Sequence, residues 1–237
     1  MSDLPYQRIL LKLSGEILAG ENGSVIDPAM VAYFAQEIKS IVDEGVKICL
    51  VIGGGNIFRG GSNTKTTERV TGDYMGMLAT VINALAIQNA LEQAHISARV
   101  QTAIPMIQIA ESFSHRQALY HLDKGRVLIF AAGTGNPFFT TDSAAALRAA
   151  EMKVDVLLKG TKVDGVYDKD PIKYPDAIRY TELSYDVAIQ NNLKVMDLSA
   201  ITLCRENHIP ILVFNFKEPG NLLRVVKGEP VGTRIGG

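Results

Sequence analysis

The sequence lacks an excess of either charge. Lys plus Arg number 24 against 25 for Asp plus Glu, for a formal net charge of −1 over 237 residues. That balance leaves no basic footprint for nucleic acid, so an anionic ligand has to be held by local charges and backbone amides. Cysteine is scarce as well. The two present, Cys49 in "KICLVI" and Cys204 in "ITLCRENH", sit in apolar periodic segments and read as buried free thiols in a reducing compartment. The opening "MSDLPYQRILLKLSGE" has neither the basic start nor the long apolar run of a secretory signal. The most apolar long helix, Met75 to Ala94, is interrupted by Asn83, Gln88, Asn89 and Glu92, so no membrane span is expected. A cytoplasmic protein without nucleic-acid or membrane partners is the expectation.

The familiar ligand motifs are missing too. A Walker A loop needs Gly-Lys-Ser/Thr, which occurs nowhere in the chain. A dinucleotide fingerprint begun at Gly53 or Gly133 meets Phe58 or Phe138 where its third glycine or alanine belongs. No protein-kinase catalytic loop or Asp-Phe-Gly is present, and "DGVYDKD" lacks the spacing of a calcium-binding loop. The four histidines, His95, His115, His121 and His208, have no metal-like spacing, so no protein-held metal is expected.

What is there is alternation. "RILLKL" (8–13) reads as a strand, and 28–45 as an amphipathic helix ended by Gly45. "VKICLVI" (46–52) and "RVLIFAA" (126–132) are continuous apolar runs, as in strands buried on both faces. Between them lie a helix from about Asp73 to Ala94, strand 98–103 and helix 114–124. After them come helix 142–152, strand 155–160, a polar proline-bearing loop 161–181, helices near 184–193 and 199–207, strand 210–215, helix 219–227 and a short strand near "GTRI". Strand–helix alternation with no repeat or linker predicts one domain, 1–237. Its expected class is an α/β, three-layer α/β/α sandwich with a mostly parallel central sheet.

In such sheets ligands bind beyond the carboxyl ends of the strands. Those ends read "KLSG" (12–15), "GGGNIFRG" (53–60), "GTGNPFFTTD" (133–142) and "LKGTKVDGVYDKDP" (158–171). Glycine-rich turns let backbone N–H groups approach an anion, and helix N-termini add partial positive charge. With Lys12, Arg59 and Lys159 at the same edge, the pattern suits a polyphosphate.

The motifs "LLKLSGE", "VIGGGNIFRG", "GDYMGMLAT", "AAGTGNPFFTTDSAA", "LLKGTKVDGVYDKDP" and "LKVMDLSA" carry a resemblance. In order and spacing they are similar to those of the amino-acid-kinase superfamily, most closely its bacterial uridylate-kinase branch, from about Ile9 to the C-terminus. The resemblance implies transfer of the γ-phosphoryl group of ATP to UMP. It implies Mg²⁺ carried with ATP, a homohexamer, activation by GTP and inhibition by UTP.

Carried over residue by residue, it implies that Lys12, Arg59, Asp142 and Lys159 are catalytic. Lys12, Leu13, Ser14, Gly15, Gly55, Arg59, Thr161, Tyr167 and Asp170 would hold ATP. Gly54, Asp73 and the run Thr134, Gly135, Asn136, Pro137, Phe138, Phe139, Thr140 and Thr141 would hold UMP. Gly20, Glu21, Asn22, Gly23, Ser24 and Val25 lie where the resemblance puts the GTP effector, in a loop with no other distinguishing mark; loop 60–69 reads as variable. Plainer roles stand beside these. Lys12 could be a snorkelling strand-end lysine, Arg59 and Lys159 surface ion pairs, Asp142 the N-cap of its helix, Asp73 a helix-start acid, and Tyr167 an aromatic packed on Pro171. Other members of the superfamily, phosphorylating carbamate or an amino-acid carboxylate, lack the "GTGNPFFTTD" turn. A catalytically silent nucleotide-binding protein would have lost a charged residue of the set.

Overall fold

A computed structural model of the chain describes residues 4–59, 67–191, 193 and 195–237. The N-terminal half runs β1 (Arg8–Leu13), a 3-10 turn (Gly15–Leu18), α1 (Pro28–Val42), β2 (Lys47–Ile52), α2 (Arg69–Gln93), β3 (Ala98–Thr102), β4 (Glu111–Ser112), α3 (His115–Asp123) and β5 (Val127–Ala131). The remainder runs α4 (Thr141–Met152), β6 (Val156–Thr161), β7 (Val166–Tyr167), β8 (Arg179–Tyr180), β9 (Glu182–Ser184), α5 (Tyr185–Gln190), α6 (Leu198–Glu206), β10 (Ile211–Asn215), α7 (Asn221–Val226) and β11 (Thr233–Gly236).

Nine strands form one sheet in the order β4-β3-β5-β2-β1-β6-β10-β11-β9. Every ladder in it is parallel except β10 with β11. The period-2 alternation of β1 divides the interior into two layers. Ile9, Leu11 and Leu13 join the core under α1, α2 and α7, whereas Leu10 joins the core under α3, α4 and α6. The three-layer arrangement is therefore the expected one, and the parallel register puts the ends of β1, β2, β5 and β6 on one edge. Both cysteines are buried free thiols, and burial pushes each up to about 12.

The structure differs from the sequence reading at several places. Helix α2 begins at Arg69, four residues before the expected Asp73. The Arg69–Asp73 ion pair at 2.8 Å is an (i, i+4) pair that supports its first turns. Asp73 is therefore inside the helix, not a helix-start acid. Most of the loop read as variable, 60–66, lies outside the described residues. The stretch read as loop 161–181 contains the antiparallel β7–β8 hairpin, and β9 adds an edge strand beside β11; strands of two or three residues leave too little periodicity to find. By length and composition α2 could cross a membrane, with mean hydropathy 1.3, but 44% of that window is buried inside the protein. Its Met77, Val81, Ala84, Ile87 and Leu91 belong to the core.

Candidate active site

Lys12 shares the face of Leu10 on β1 and is the register partner of Lys159 on β6. Parallel register thus sets two lysines side by side, with strands about 4.8 Å apart. Both would repel in a buried setting. The first turn of α4 supplies the counter-charge. Asp142 Oδ1 is 2.5 Å from Lys12 Nζ, and Oδ2 is 2.9 Å from Lys159 Nζ. Lys159 also donates to the Val195 carbonyl. Lys12 and Asp142 are buried, at 7% and 8% exposure. Burial alone would push the Asp142 carboxyl up, but Lys12 and Lys159 outweigh it and hold it below the usual carboxylate range. Burial pulls the Lys159 ammonium below its ordinary value; Asp142 opposes that and Lys12 adds to it. Asp142 is not the helix cap. Thr140 is the N-cap, accepting from the N–H groups of Asp142 and Ser143 at 3.1 and 3.5 Å, which leaves the Asp142 carboxylate to the lysines.

A second grouping has the same form. Glu16, in the turn after β1, pairs with both Arg59 and Lys162, the latter at 2.9 Å, and Arg59 Nε donates to the Gly55 carbonyl at 3.2 Å. Each carboxylate is thus bridged by two cations, and each trio keeps one net positive charge at the strand ends. Ser14 caps the 3-10 turn, accepting from Glu16 N. Gly15 opens it. Leu13 turns its side chain into the opposite core and offers the edge only backbone, its carbonyl accepting from Gly53 N at 2.9 Å. Gly54 lies against α2 so closely that a Cβ there would come within 2.7 Å of Ala79 Cβ and 2.8 Å of the Gly76 carbonyl.

The turn after β5 bends through left-handed backbone at Ala132, Gly133 and Gly135, with φ of 61°, 57° and 78°. Gly135 N donates to the Ala132 carbonyl at 2.9 Å. Thr134 and Asn136 bond to one another, Pro137 follows, and Phe138 and Phe139 are exposed. Phe138 N donates to Asp73 Oδ2 at 2.8 Å, and Arg69 lies over the Phe138 ring at 5.6 Å. Burial would raise the Asp73 carboxyl; the bonds from Arg69 and Phe138 N outweigh that and lower it. Thr140 donates to Asp197, and Thr141 begins α4.

Thr161, Tyr167 and Asp170 line a cleft of about 600 Å³ that has Lys159 in its wall. In it Thr161 Oγ1 donates to the Val163 carbonyl at 2.6 Å. Tyr167 OH bonds to Asp164 at 2.5 Å, which raises the phenol. Asp170 Oδ1 accepts from Ile172 N at 3.0 Å. The expected effector segment, Gly20 to Val25, is a tight loop closed by Gly20 N to the Ser24 carbonyl at 3.0 Å and by Asn22 Oδ1 accepting from Ser24 N. It is tied to the glycine turn through Asn56 Nδ2, which donates to the Val25 carbonyl at 2.9 Å.

Several residues that meet the expected ones were not named from the sequence. Glu16 and Asp197 lie inside the "LLKLSGE" and "LKVMDLSA" motifs, yet nothing in a single acidic letter says which cation or hydroxyl it will meet. Lys162 lies three positions after Lys159, and nothing local in the sequence marks it as the one that meets Glu16. Buried Asn83 on α2 pairs with Asn56 and donates to the Gly53 carbonyl at 2.8 Å; in the sequence it read only as a polar break in an apolar helix. Among the described residues no three His, Cys, Asp or Glu side chains gather as metal ligands, and the Asp142 and Glu16 carboxylates are already bridged by cations.

Glycine turns and paired cations at the carboxyl edge of a parallel sheet define an α/β protein equipped to hold phosphate groups. The chain belongs to the amino acid kinase family, whose sequence profile matches residues 7–215. It is 58% identical over 231 residues to a uridylate kinase of Zymomonas mobilis, covering 97% of this chain and 96% of that one. It is similar to the crystal structure of the UMP kinase of Bacillus anthracis, with TM-score 0.95 and 42% identity over 98% of this chain and 96% of that one. The UMP kinase of Ureaplasma parvum matches with TM-score 0.92 and 39% identity over 98% and 99% of the two chains.

Proposed function

We propose that the chain is a UMP kinase, an ATP:UMP phosphotransferase that yields UDP and ADP. The observation that carries the reading is the ion-paired Lys12–Asp142–Lys159 trio. Lys159 lies in the wall of the cleft of Thr161, Tyr167 and Asp170, and the Thr134–Thr141 turn leads into the helix that carries Asp142. ATP occupies that cleft, its adenosine against Thr161, Tyr167 and Asp170 and its phosphates over Lys12 to Gly15, Gly55 and Arg59. UMP lies against Gly54, Asp73 and Thr134 to Thr141. Asp73 Oδ2 is taken by Phe138 N and Arg69, so the ribose hydroxyl is assigned to Oδ1.

Phosphoryl transfer needs positioning and neutralisation of spreading charge more than covalent help. Lys12 bridges the donor and acceptor phosphates, and Lys159 neutralises the transferred group from the donor side. Arg59 clamps phosphate, and Asp142 keeps the two lysines in place. With Asp142 and Glu16 each bridged by two cations, Mg²⁺ carried with ATP would be held by phosphate oxygens and water and would supply further charge neutralisation.

The full reading is a cytoplasmic homohexamer, activated by GTP at residues 20–25 and inhibited by UTP. The tie from Asn56 to Val25 supports a path between that loop and the glycine turn. The exposed Tyr74, Leu78 and Ile82 on α2 support a subunit contact there, and mass measurement in solution checks the count. A coupled assay with ATP and UMP, beside CMP, carbamate and no acceptor, tests the function. UMP-dependent ADP formation is expected, and ADP formed equally without UMP would contradict it.

A further inference from the structure

The motif "GDYMGMLAT" ends on Thr80, which is outside the proposed nucleotide contacts. Thr80 lies on α2 and is almost fully buried, at 3% exposure. Its hydroxyl donates to the Met77 carbonyl at 2.7 Å and accepts from Ala132 N at 2.8 Å. Ala132 is fully buried and left-handed, with φ of 61°. Residues with a Cβ resist that conformation, and a buried N–H there needs an acceptor.

The same relation recurs one stretch later. Phe138 is left-handed, with φ of 73°, and its N–H is held by Asp73, also on α2. The two non-glycine left-handed residues of this turn are therefore each gripped by a polar side chain of one helix. They bracket Gly133 to Pro137. Main-chain partners do not supply this bonding, so the turn's path depends on α2 at both ends.

We infer that Thr80 is a positioning residue for the acceptor turn, holding Ala132 in left-handed backbone so that Gly133 to Asn136 face the acceptor phosphate. This rests on the UMP kinase reading for its consequence, although the geometry stands without it.

Two substitutions separate positioning from packing. Thr80→Val keeps the shape and removes the acceptor, whereas Thr80→Ser keeps the hydroxyl and removes a core methyl. Amide hydrogen exchange on the free protein and steady-state kinetics with ATP and UMP are measured for both. In Thr80→Val the Ala132 amide is expected to exchange at least about ten-fold faster, and the KM for UMP to rise by about the same factor, the order expected when a buried N–H loses its acceptor. The KM for ATP stays within about two-fold. Thr80→Ser keeps both values near wild type even if its melting temperature drops. Unchanged exchange at Ala132 in Thr80→Val overturns the inference, as does a UMP effect that follows melting temperature instead of the hydroxyl. A wild-type protein inert toward UMP would defeat the proposed function, and exchange at Ala132 would then decide the role of Thr80 by itself.

Discussion

Lys12 and Lys159 would repel one another across adjacent strands if Asp142 did not stand between them. The trio is therefore one unit in which each member has a different failure. Lys12→Ala leaves Asp142 paired with Lys159, so the fold is expected to survive. Turnover should fall about 10²- to 10³-fold, the usual cost of one preorganised charge at a transition state. Normal circular dichroism with near wild-type turnover would refute the assignment. Asp142→Asn leaves the buried Lys12 ammonium and the half-buried Lys159 ammonium without the carboxylate between them and should cost stability as well as turnover, about 3–5 kcal/mol for a broken buried pair. Thr140, not Asp142, caps the helix, so capping cannot account for such a loss. Because the Asp142 carboxyl is held below its ordinary value, its contribution is fully present above the unfolded value of about 3.9. It fades as pH falls through the lower folded value. Urea unfolding should show a large gap between wild type and Asp142→Asn at pH 7 and a smaller one near pH 3. An equal gap at both would contradict the charge account.

At the scale of elements, α2 has a divided role. Its inner face carries Asp73, Thr80 and Asn83 to the two glycine-rich turns, while its outer face exposes Tyr74, Leu78 and Ile82. Asp73→Asn keeps an acceptor for Phe138 N but loses the charge that draws a hydroxyl. UMP affinity is expected to fall about 10-fold or more, from roughly 1.5–3 kcal/mol for a charged acceptor. Preference over the 2′-deoxy analogue should narrow, with ATP affinity unchanged. Dissociation constants for both nucleotides check this, and a rise confined to ATP would move Asp73 to the donor side. The long elements were legible because their patterns are long: β1 lies where "RILLKL" put it, and β2, β5 and α4 are within a residue. The start of α2 was missed because its first turns are polar and held by a side-chain pair that periodicity does not register. Strands β7, β8 and β9 were missed because two or three residues carry no period.

For the whole molecule, sheet order does what no local segment can. It gathers strand ends from Lys12, Gly53, Ala131 and Lys159, which are far apart in the chain, onto one edge. Which residues form the edge was legible, since each strand ends in its own glycine-rich or lysine-bearing turn. Which charges pair there was not. Glu16 with Arg59 and Lys162, or Thr140 with Asp197, depends on register and helix placement that the letters do not encode. In the proposed function, donor cleft and acceptor turn are two sites joined across the Lys12–Asp142–Lys159 trio. A single molecule carrying adenosine and uridine at the ends of one polyphosphate chain tests it most directly by calorimetry. Linking makes the second binding event intramolecular, so its dissociation constant should lie at least about 100-fold below that of ATP, and either ATP or UMP should compete with it. Affinity no tighter than that of ATP, or no competition from UMP, would contradict a site built this way.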